Sequence, residues 1–201
     1  VPEFSCLIEI ASTRQTDTEL DAQGGAPLDA IITNVLGAAM EDGLVNDATI
    51  ARNENQRQAL WAIRELTPES EIKAGAAYKS DISIPLEHMA AFYHRAATAA
   101  QAIVPGVKIF GFGHLGDGNL HYNLSIPDDG HPDFMAQYPK FDAMLQDLLV
   151  EYHGSISAEH GIGQKKRVML AAAKDQTALA LMRAIKAALD PNNIMNPGKI
   201  I

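Results

Sequence analysis

Residues Gly111–Ile126 read GFGHLGDGNLHYNLSI, and the pattern of this stretch decides the fold. Val107, Ile109 and Phe110 lead in. Leu120, Tyr122, Leu124 and Ile126 lead out, alternating with His121, Asn123 and Ser125. A period of two marks a half-buried strand. Between the two runs lies Gly116-Asp117-Gly118, and Asp-Gly is a strong hairpin signal because both turn residues must tolerate positive φ. The stretch therefore predicts a β-hairpin. With Asp117-Gly118 as the turn, Gly116 pairs with Asn119 and His114 sits opposite His121. With Gly116-Asp117 as the turn, His114 pairs with Asn119 and is diagonal to His121. Both registers put the two histidines on one face, with Asn123 beside them. Directly paired Cβ atoms are roughly 4.5–5.5 Å apart, close enough for two imidazoles to share one cation.

Outward from the hairpin, strands and helices alternate. Phe4–Ile10 reads as a strand and Arg14–Pro27 as a loop. Leu28, Ile31, Ile32, Val35, Leu36, Ala39 and Met40 form one helical stripe, with Gly43 as its stop. Val45–Ala51 reads as a short strand, Glu54–Glu65 as a helix containing Trp61, and Pro68–Ala77 as a loop. Tyr78–Pro85 (YKSDISIP) alternates like a strand, and Glu87–Ile103 has a helical stripe. After the hairpin a helix is expected over Asp133–His153, with Gly154 at its C-cap. Then come a short strand at Ser155–Ala158 and a helix over Thr177–Leu189. This order predicts the α+β class: an antiparallel or mixed sheet covered by helices, built from two ferredoxin-like halves.

Composition sets bounds. The chain has 201 residues, 47% hydrophobic and 20% charged, the balance of a folded soluble protein. A formal net charge of −9 and the lack of a basic stripe argue against a nucleic-acid partner. Cys6 is the only cysteine, so no intrachain disulfide forms, and a reducing, cytoplasmic location is expected. No run reaches the roughly 18 apolar residues of a membrane span. The chain begins at Val1 almost directly with apolar residues, which suggests a piece of a longer protein. No GxGxxG follows a strand and no GxxxxGK precedes Ser or Thr, so no nucleotide-phosphate cradle is visible.

Two histidines on one hairpin face suggest a cation site. Glu159 is the best third ligand, because it opens a Gly-spaced loop after a short strand (Glu159, Gly161, Gly163). Two His and one carboxylate leave open positions, as catalytic sites require. Gly111, Gly113, Gly116 and Gly118 leave room for close approach to the backbone. His160 reads as a ligand, a base or a helix-entry residue. Lys165, Lys166 and Arg167 read as a solvated basic turn. Spacing alone assigns nothing to Arg64 or Lys79.

Three longer motifs carry a resemblance: GHLGDGNLH with Asn123 following, SAEHGIG with Lys165 close behind, and LDPNNIMNPGKI. With the WAIRE segment and the YKSDISIP strand, they make the chain resemble the C-terminal half of FAD-linked oxidases of the vanillyl-alcohol oxidase type. Within that family it is similar to the group of D-2-hydroxyglutarate dehydrogenase, D-lactate dehydrogenase and the FAD subunit of glycolate oxidase. The resemblance implies a substrate, or cap, domain whose FAD-binding partner domain lies N-terminal and is absent here. It implies a divalent metal, often zinc, held by His114, His121 and Glu159. Asn123 and His160 match residues that line the substrate, His160 as the base. Arg64 and Lys79 match residues that pair with substrate carboxylates. The Asn196-Pro197-Gly198-Lys199 tail, with Asn196 at the cofactor, runs toward the flavin domain. In glutarate-type members a Thr lies four residues after the Arg; here that position is Pro68, with Thr67 one residue earlier. The choice of 2-hydroxy acid stays open, as do the electron acceptor and a homodimeric state. The other reading is a non-catalytic cap or assembly domain of a metal-free FAD-linked oxidase acting on another alcohol.

Overall fold

The computed structural model describes residues 4–20, 22, 25–75 and 77–201. Residues 21, 23 and 24 of the expected loop Arg14–Pro27, and residue 76 of the expected loop Pro68–Ala77, lie outside the described residues. The chain divides into two compact units, Val1–Glu69 and Ser70–Ile201.

The first unit is helical. Helix α1 spans Pro27–Glu41, with Pro at its first position and the Asp29 carboxylate accepting from the Ala26 N–H. It ends where expected, with Gly43 at φ 71°. Helix α2 spans Glu54–Glu65 and is capped by Asn53, whose side chain accepts from the Gln56 N–H. The strands expected at Phe4–Ile10 and Val45–Ala51 do not form; no ladder pairs them among the described residues. Side chains hold the first segment instead. Glu9 accepts from the Trp61 indole N–H at 2.7 Å and lies 3.4 Å from Arg57.

Helix α3, Thr67–Lys73, replaces most of the loop expected after Pro68. A Pro at the second residue of a helix forfeits no helical hydrogen bond, so it starts this helix. The loop expectation treated it as a breaker.

The second unit carries the sheet. Strands β1 (Ala77–Tyr78), β2 (Ile82–Ser83), β3 (Lys108–Phe112) and β4 (Asn119–Ser125) are all antiparallel, with β4 in the middle. One edge of β4 pairs with β3. Its other edge pairs with β1 at Ser125 and Leu124, and with β2 at Leu120 and Asn119. The α+β class stands. The two-halves version does not, because the first unit contributes no strand among its described residues.

Helices α4 (Met89–Ile103) and α5 (Tyr138–Glu151) bury the apolar face of β4. Phe92, Ala96 and Ala100 come from α4; Phe141, Leu145, Leu148 and Leu149 come from α5; Leu120, Tyr122 and Leu124 come from β4. Phe92 meets Tyr122 edge-on at 6.1 Å between ring centroids. The alternation read from the sequence is thus the physical sorting of the strand: Leu120, Tyr122 and Leu124 toward the helices, His121 and Asn123 toward the other face.

The strand expected over Tyr78–Pro85 is interrupted at Lys79–Asp81. Ser80 substitutes for the missing ladder there. Its hydroxyl donates to the Tyr122 carbonyl at 2.7 Å and accepts from the Tyr122 N–H at 3.2 Å, while its own N–H donates to Asn123 Oδ1 at 2.9 Å. A backbone that leaves the ladder must find partners elsewhere, and these side chains provide them.

Helix α5 ends differently from the expectation. His153, not Gly154, takes the left-handed conformation, at φ 56°. The N–H of Gly154 then reaches Leu149 O at 2.8 Å, closing the helix end. Gly154 is needed for close packing: a Cβ there would lie 2.7 Å from Ser83 O and 2.6 Å from Leu149 Cδ2. Ser155 pairs with Ser83 as an isolated bridge, which is all that forms of the strand expected at Ser155–Ala158. Helix α6 (Arg167–Ala173) was not foreseen. Helix α7 (Gln176–Leu189) begins at the Asp175 cap, one residue before the expected start.

Candidate metal and substrate site

The site sits on the polar face of β4. His121 is a strand residue, opposite Phe112 in the ladder. His114 lies beyond the end of β3, where the backbone closes a 3-10 turn at Leu115–Asp117. The Asn119 N–H donates to the His114 carbonyl at 3.2 Å, which continues the β3–β4 register. That is the second of the two registers considered, with His114 diagonal to His121, although a 3-10 turn takes the place of a two-residue turn. Gly118 closes it at φ 67°, with its α-carbon against the carbonyl of Ile84.

The glycines were expected to leave room for close approach to the backbone, but of the four only Gly116 faces open space. Tyr93 covers Gly111, and the backbone of Asn119 covers Gly113. They admit the protein's own neighbours.

Glu159 arrives from the loop after the Ser83–Ser155 bridge. Its Oε1 lies 2.7 Å from His114 Nδ1, and its Oε2 lies 3.6 Å from His121 Nε2. The hydrogen bond from His114, with the charges nearby, holds the Glu159 carboxyl below the usual range, so it is ionised at neutral pH. His160 stacks on His121, with ring centroids 5.3 Å apart and planes 28° from parallel. The ligating atoms of Asp81, His121, Glu159 and His160 all lie within 4.8 Å of one another. The structure thus brings His121, Glu159 and His160 together with Asp81, whereas His114, the other expected ligand, meets Glu159 but does not belong to that group. Imidazoles and carboxylates grouped in this way are a donor set that could hold a divalent cation.

The other expected residues sit elsewhere. Asn123 is buried, and its Oδ1 is taken by the Ser80 N–H, so it shapes the sheet beneath the site. Lys79 is half-exposed and pairs at 3.2 Å with Glu71, a buried carboxylate whose other oxygen has no hydrogen-bond partner among the described residues. Arg64 belongs to the first unit, in the last turn of α2. Asn196 lies in the C-terminal tail at φ 49°. The base of that tail is held by Asp190, which accepts from the Ile194 and Met195 N–H groups and pairs with Lys186.

Three residues were missed or misread. Asp81, 2% exposed, accepts from the N–H groups of Ala158, Glu159 and His160 and from the Ser157 hydroxyl. Burial pushes its carboxyl up, but these donors and Lys166 outweigh it and hold the group at about 2. The sequence carried a signal for it: an Asp in an alternating strand is against propensity. Lys166 is not a solvated turn residue. Its ammonium donates to the carbonyls of Asp81 and Ile156 at 2.8 and 2.7 Å, and desolvation lowers its pKa. Asn119, buried beside Glu159, helps lower that carboxyl, yet neither of its amide atoms reaches hydrogen-bond geometry with a partner among the described residues. It lines a cleft of about 320 Å³ with Ser83, Asp117, Ser157, Ala158 and Glu159.

Comparison with known proteins agrees with the motifs. The family described as FAD linked oxidases, C-terminal domain, matches residues 7–200. A D-2-hydroxyglutarate dehydrogenase of Stutzerimonas stutzeri is 39% identical over 80% of this chain and 35% of its own length. One from Xanthomonas citri pv. viticola is 36% identical over 89% of this chain and 38% of its own length. The mitochondrial D-2-hydroxyglutarate dehydrogenase of Rattus norvegicus is 38% identical over 85% of this chain and 31% of its own length. The chain thus spans about a third of the length of these curated relatives.

Proposed function

Because the chain belongs to the family of FAD-linked oxidase C-terminal domains, we propose that it is the substrate- and metal-binding domain of an FAD-dependent dehydrogenase that oxidises a D-2-hydroxy acid to the 2-oxo acid. The observation that carries this reading is the convergence of His114 and His121 on the ionised Glu159, with His160 stacked alongside. The names of the relatives make D-2-hydroxyglutarate the first substrate to assay.

His114, His121 and Glu159 would hold the divalent cation, zinc in this reading. The FAD would be held by an N-terminal domain of the full-length protein, with the tail at Asn196 turned toward it. When bound, the cation would supply Lewis-acid polarisation of the substrate hydroxyl, and the flavin would supply the hydride acceptor. The chain's own work is binding and proton transfer. His160, exposed at its ring, takes the proton from the 2-hydroxyl. Lys79 binds a substrate carboxylate, with Glu71 fixing its ammonium in place. Arg64 offers a bidentate grip for a carboxylate. Asn123 keeps the sheet beneath the site in shape.

No helix among the described residues is long and apolar enough to cross a membrane. With its single cysteine, the chain is placed in the cytoplasm in this reading, and a homodimer is its candidate assembly. The test uses the full-length protein: metal analysis, then turnover of D-2-hydroxyglutarate and D-lactate with an electron-accepting dye. His121→Ala is expected to lose both metal and turnover. A His121→Ala protein that keeps its metal and full turnover refutes the reading. Loss of the base in His160→Ala should cost about 10²–10⁴-fold in turnover with metal retained.

A further inference from the structure

We propose that Asp81 is the positioning residue of this centre: its buried carboxylate holds Ser157–His160 in the conformation that turns Glu159 and His160 toward His121. The inference rests on the reading of Glu159 as a metal ligand and says what puts it there.

Four consecutive residues of the loop point donors at one carboxylate. Asp81 Oδ2 accepts from the Ser157 hydroxyl at 3.0 Å, and from the N–H groups of Ala158 at 3.2 Å, Glu159 at 3.2 Å and His160 at 2.9 Å. Oδ1 accepts from the Glu159 N–H at 3.1 Å. Successive N–H groups converging in this way form a concave anion nest, here filled by a side chain of the protein. None of the three N–H groups donates to a backbone carbonyl among the described residues. Without Asp81 the loop has no ladder or helix to define it, and its donors lose the one acceptor that draws them together.

The carboxylate itself is fixed from the other side. The interruption of the strand at Lys79–Asp81, bridged by Ser80, lets Asp81 leave the ladder. Lys166 anchors the Asp81 carbonyl and the Ile156 carbonyl together, so both sides of the contact are tied to one ammonium. Lys166 Nζ also lies 3.6 Å from Oδ2 and balances its charge.

Asp81 is close enough to His121, Glu159 and His160 to be counted among ligands. Its engagement argues for a different role. Oδ2 already takes four donors, and a cation bound there would have to displace the N–H groups that place Glu159. Asp81 therefore acts through Glu159 and His160 and does not touch the substrate.

The test is Asp81→Asn in the full-length protein, titrated with Zn²⁺ alone. Asn keeps the shape but offers one acceptor oxygen, and its amide hydrogens face the donors of the nest. Outer-shell partners typically control metal affinity by about 10–100-fold, and a loss in that range is expected from a variant that remains folded by near-ultraviolet circular dichroism. A role in stability alone would leave Zn²⁺ affinity in the folded variant untouched, so affinity within about twofold of wild type overturns the proposal. The second measurement needs no variant. Amide hydrogen exchange at Ala158, Glu159 and His160 in the wild-type protein should be slow; exchange at the rate of open chain overturns the proposal even if Asp81→Asn does not fold. If wild-type protein binds no Zn²⁺ while these amides are protected, the metal reading fails and the anchoring of the loop stands.

Discussion

The two halves of the candidate site are held by different means. His121 sits on β4, which is paired along both edges and packed by two helices. Glu159 and His160 sit on a loop that belongs to no regular element, and one carboxylate from 78 residues earlier holds it. The first scaffold is distributed over many backbone pairs and a buried face. The second is concentrated in a few polar contacts, with the Asp81 carboxylate at their centre and Lys166 and the Ser83–Ser155 bridge beside it. A distributed scaffold loses little from any polar substitution but fails with the core; a concentrated one can be released without unfolding the domain. The tail repeats the second design, with Asp190 collecting the N–H groups of Ile194 and Met195.

The largest effect should come from attacking the distributed scaffold through its core. Leu124→Ala, at a fully buried β4 position, is expected to cost about 2–5 kcal/mol in a urea titration of the whole domain. It should lower the stability of strand and loop together. A variant that loses the loop and leaves β4 unchanged would invert the comparison.

Next comes the joint between the halves. Gly118→Ala places a Cβ against the Ile84 carbonyl at a left-handed φ, and a cost of about 1–3 kcal/mol is expected. Because this turn sets His114 relative to His121, Zn²⁺ affinity should fall along with the thermal midpoint. Unchanged affinity would mean that the turn does not position the histidine pair.

A third experiment separates the designs by pH. The Lys186 ion pair, helped by the Ile194 and Met195 N–H groups, holds the Asp190 carboxyl below its ordinary range. A depressed carboxylate contributes stability that is present above the ordinary carboxylate range and is lost as pH falls through the depressed value. The difference in thermal midpoint between wild type and Asp190→Asn should be full near about pH 7 and should shrink steadily below about pH 4. A difference that is flat with pH would show that the carboxylate's charge is not what holds the tail.

The smallest effect is expected at Tyr122→Phe. The Tyr122 hydroxyl is buried without a hydrogen-bond partner among the described residues, and burial raises its pKa. Removing an unpaired buried hydroxyl should be neutral or stabilise by up to about 1 kcal/mol in the same urea titration. A loss above that would reveal a partner for the hydroxyl and a second polar tie within the ladder-held half.

The same contrast explains what could be read from the sequence. The α+β class, the hairpin, the shared face of His114 and His121 and the bounds of α2 follow from local periodicity and capping. These signals lie within a few residues of what they determine. The nest at Asp81 joins residues 76–79 positions apart and leaves no periodic trace. Lys166 looked like a surface charge because its two carbonyl partners come from Asp81 and Ile156. Phe4–Ile10 alternates as a strand does, but alternation guarantees no partner; Glu9 docks on Trp61 and Arg57 instead. The strand at Tyr78–Pro85 showed the right period and hid its own gap, which only the Ser80 hydroxyl reveals.

The Ser83–Ser155 bridge has a consequence beyond locating the loop. Ser83 N–H and C=O point away from β4 and pair with Ser155, at 3.1 and 2.8 Å. A short strand at the rim of a sheet otherwise offers those groups to any passing chain. Here the segment that carries Glu159 occupies them, so that edge is already satisfied at Ser83. A protein whose loop is released should then first betray itself as a change in colloidal behaviour: more self-association at a concentration where the intact domain stays dispersed.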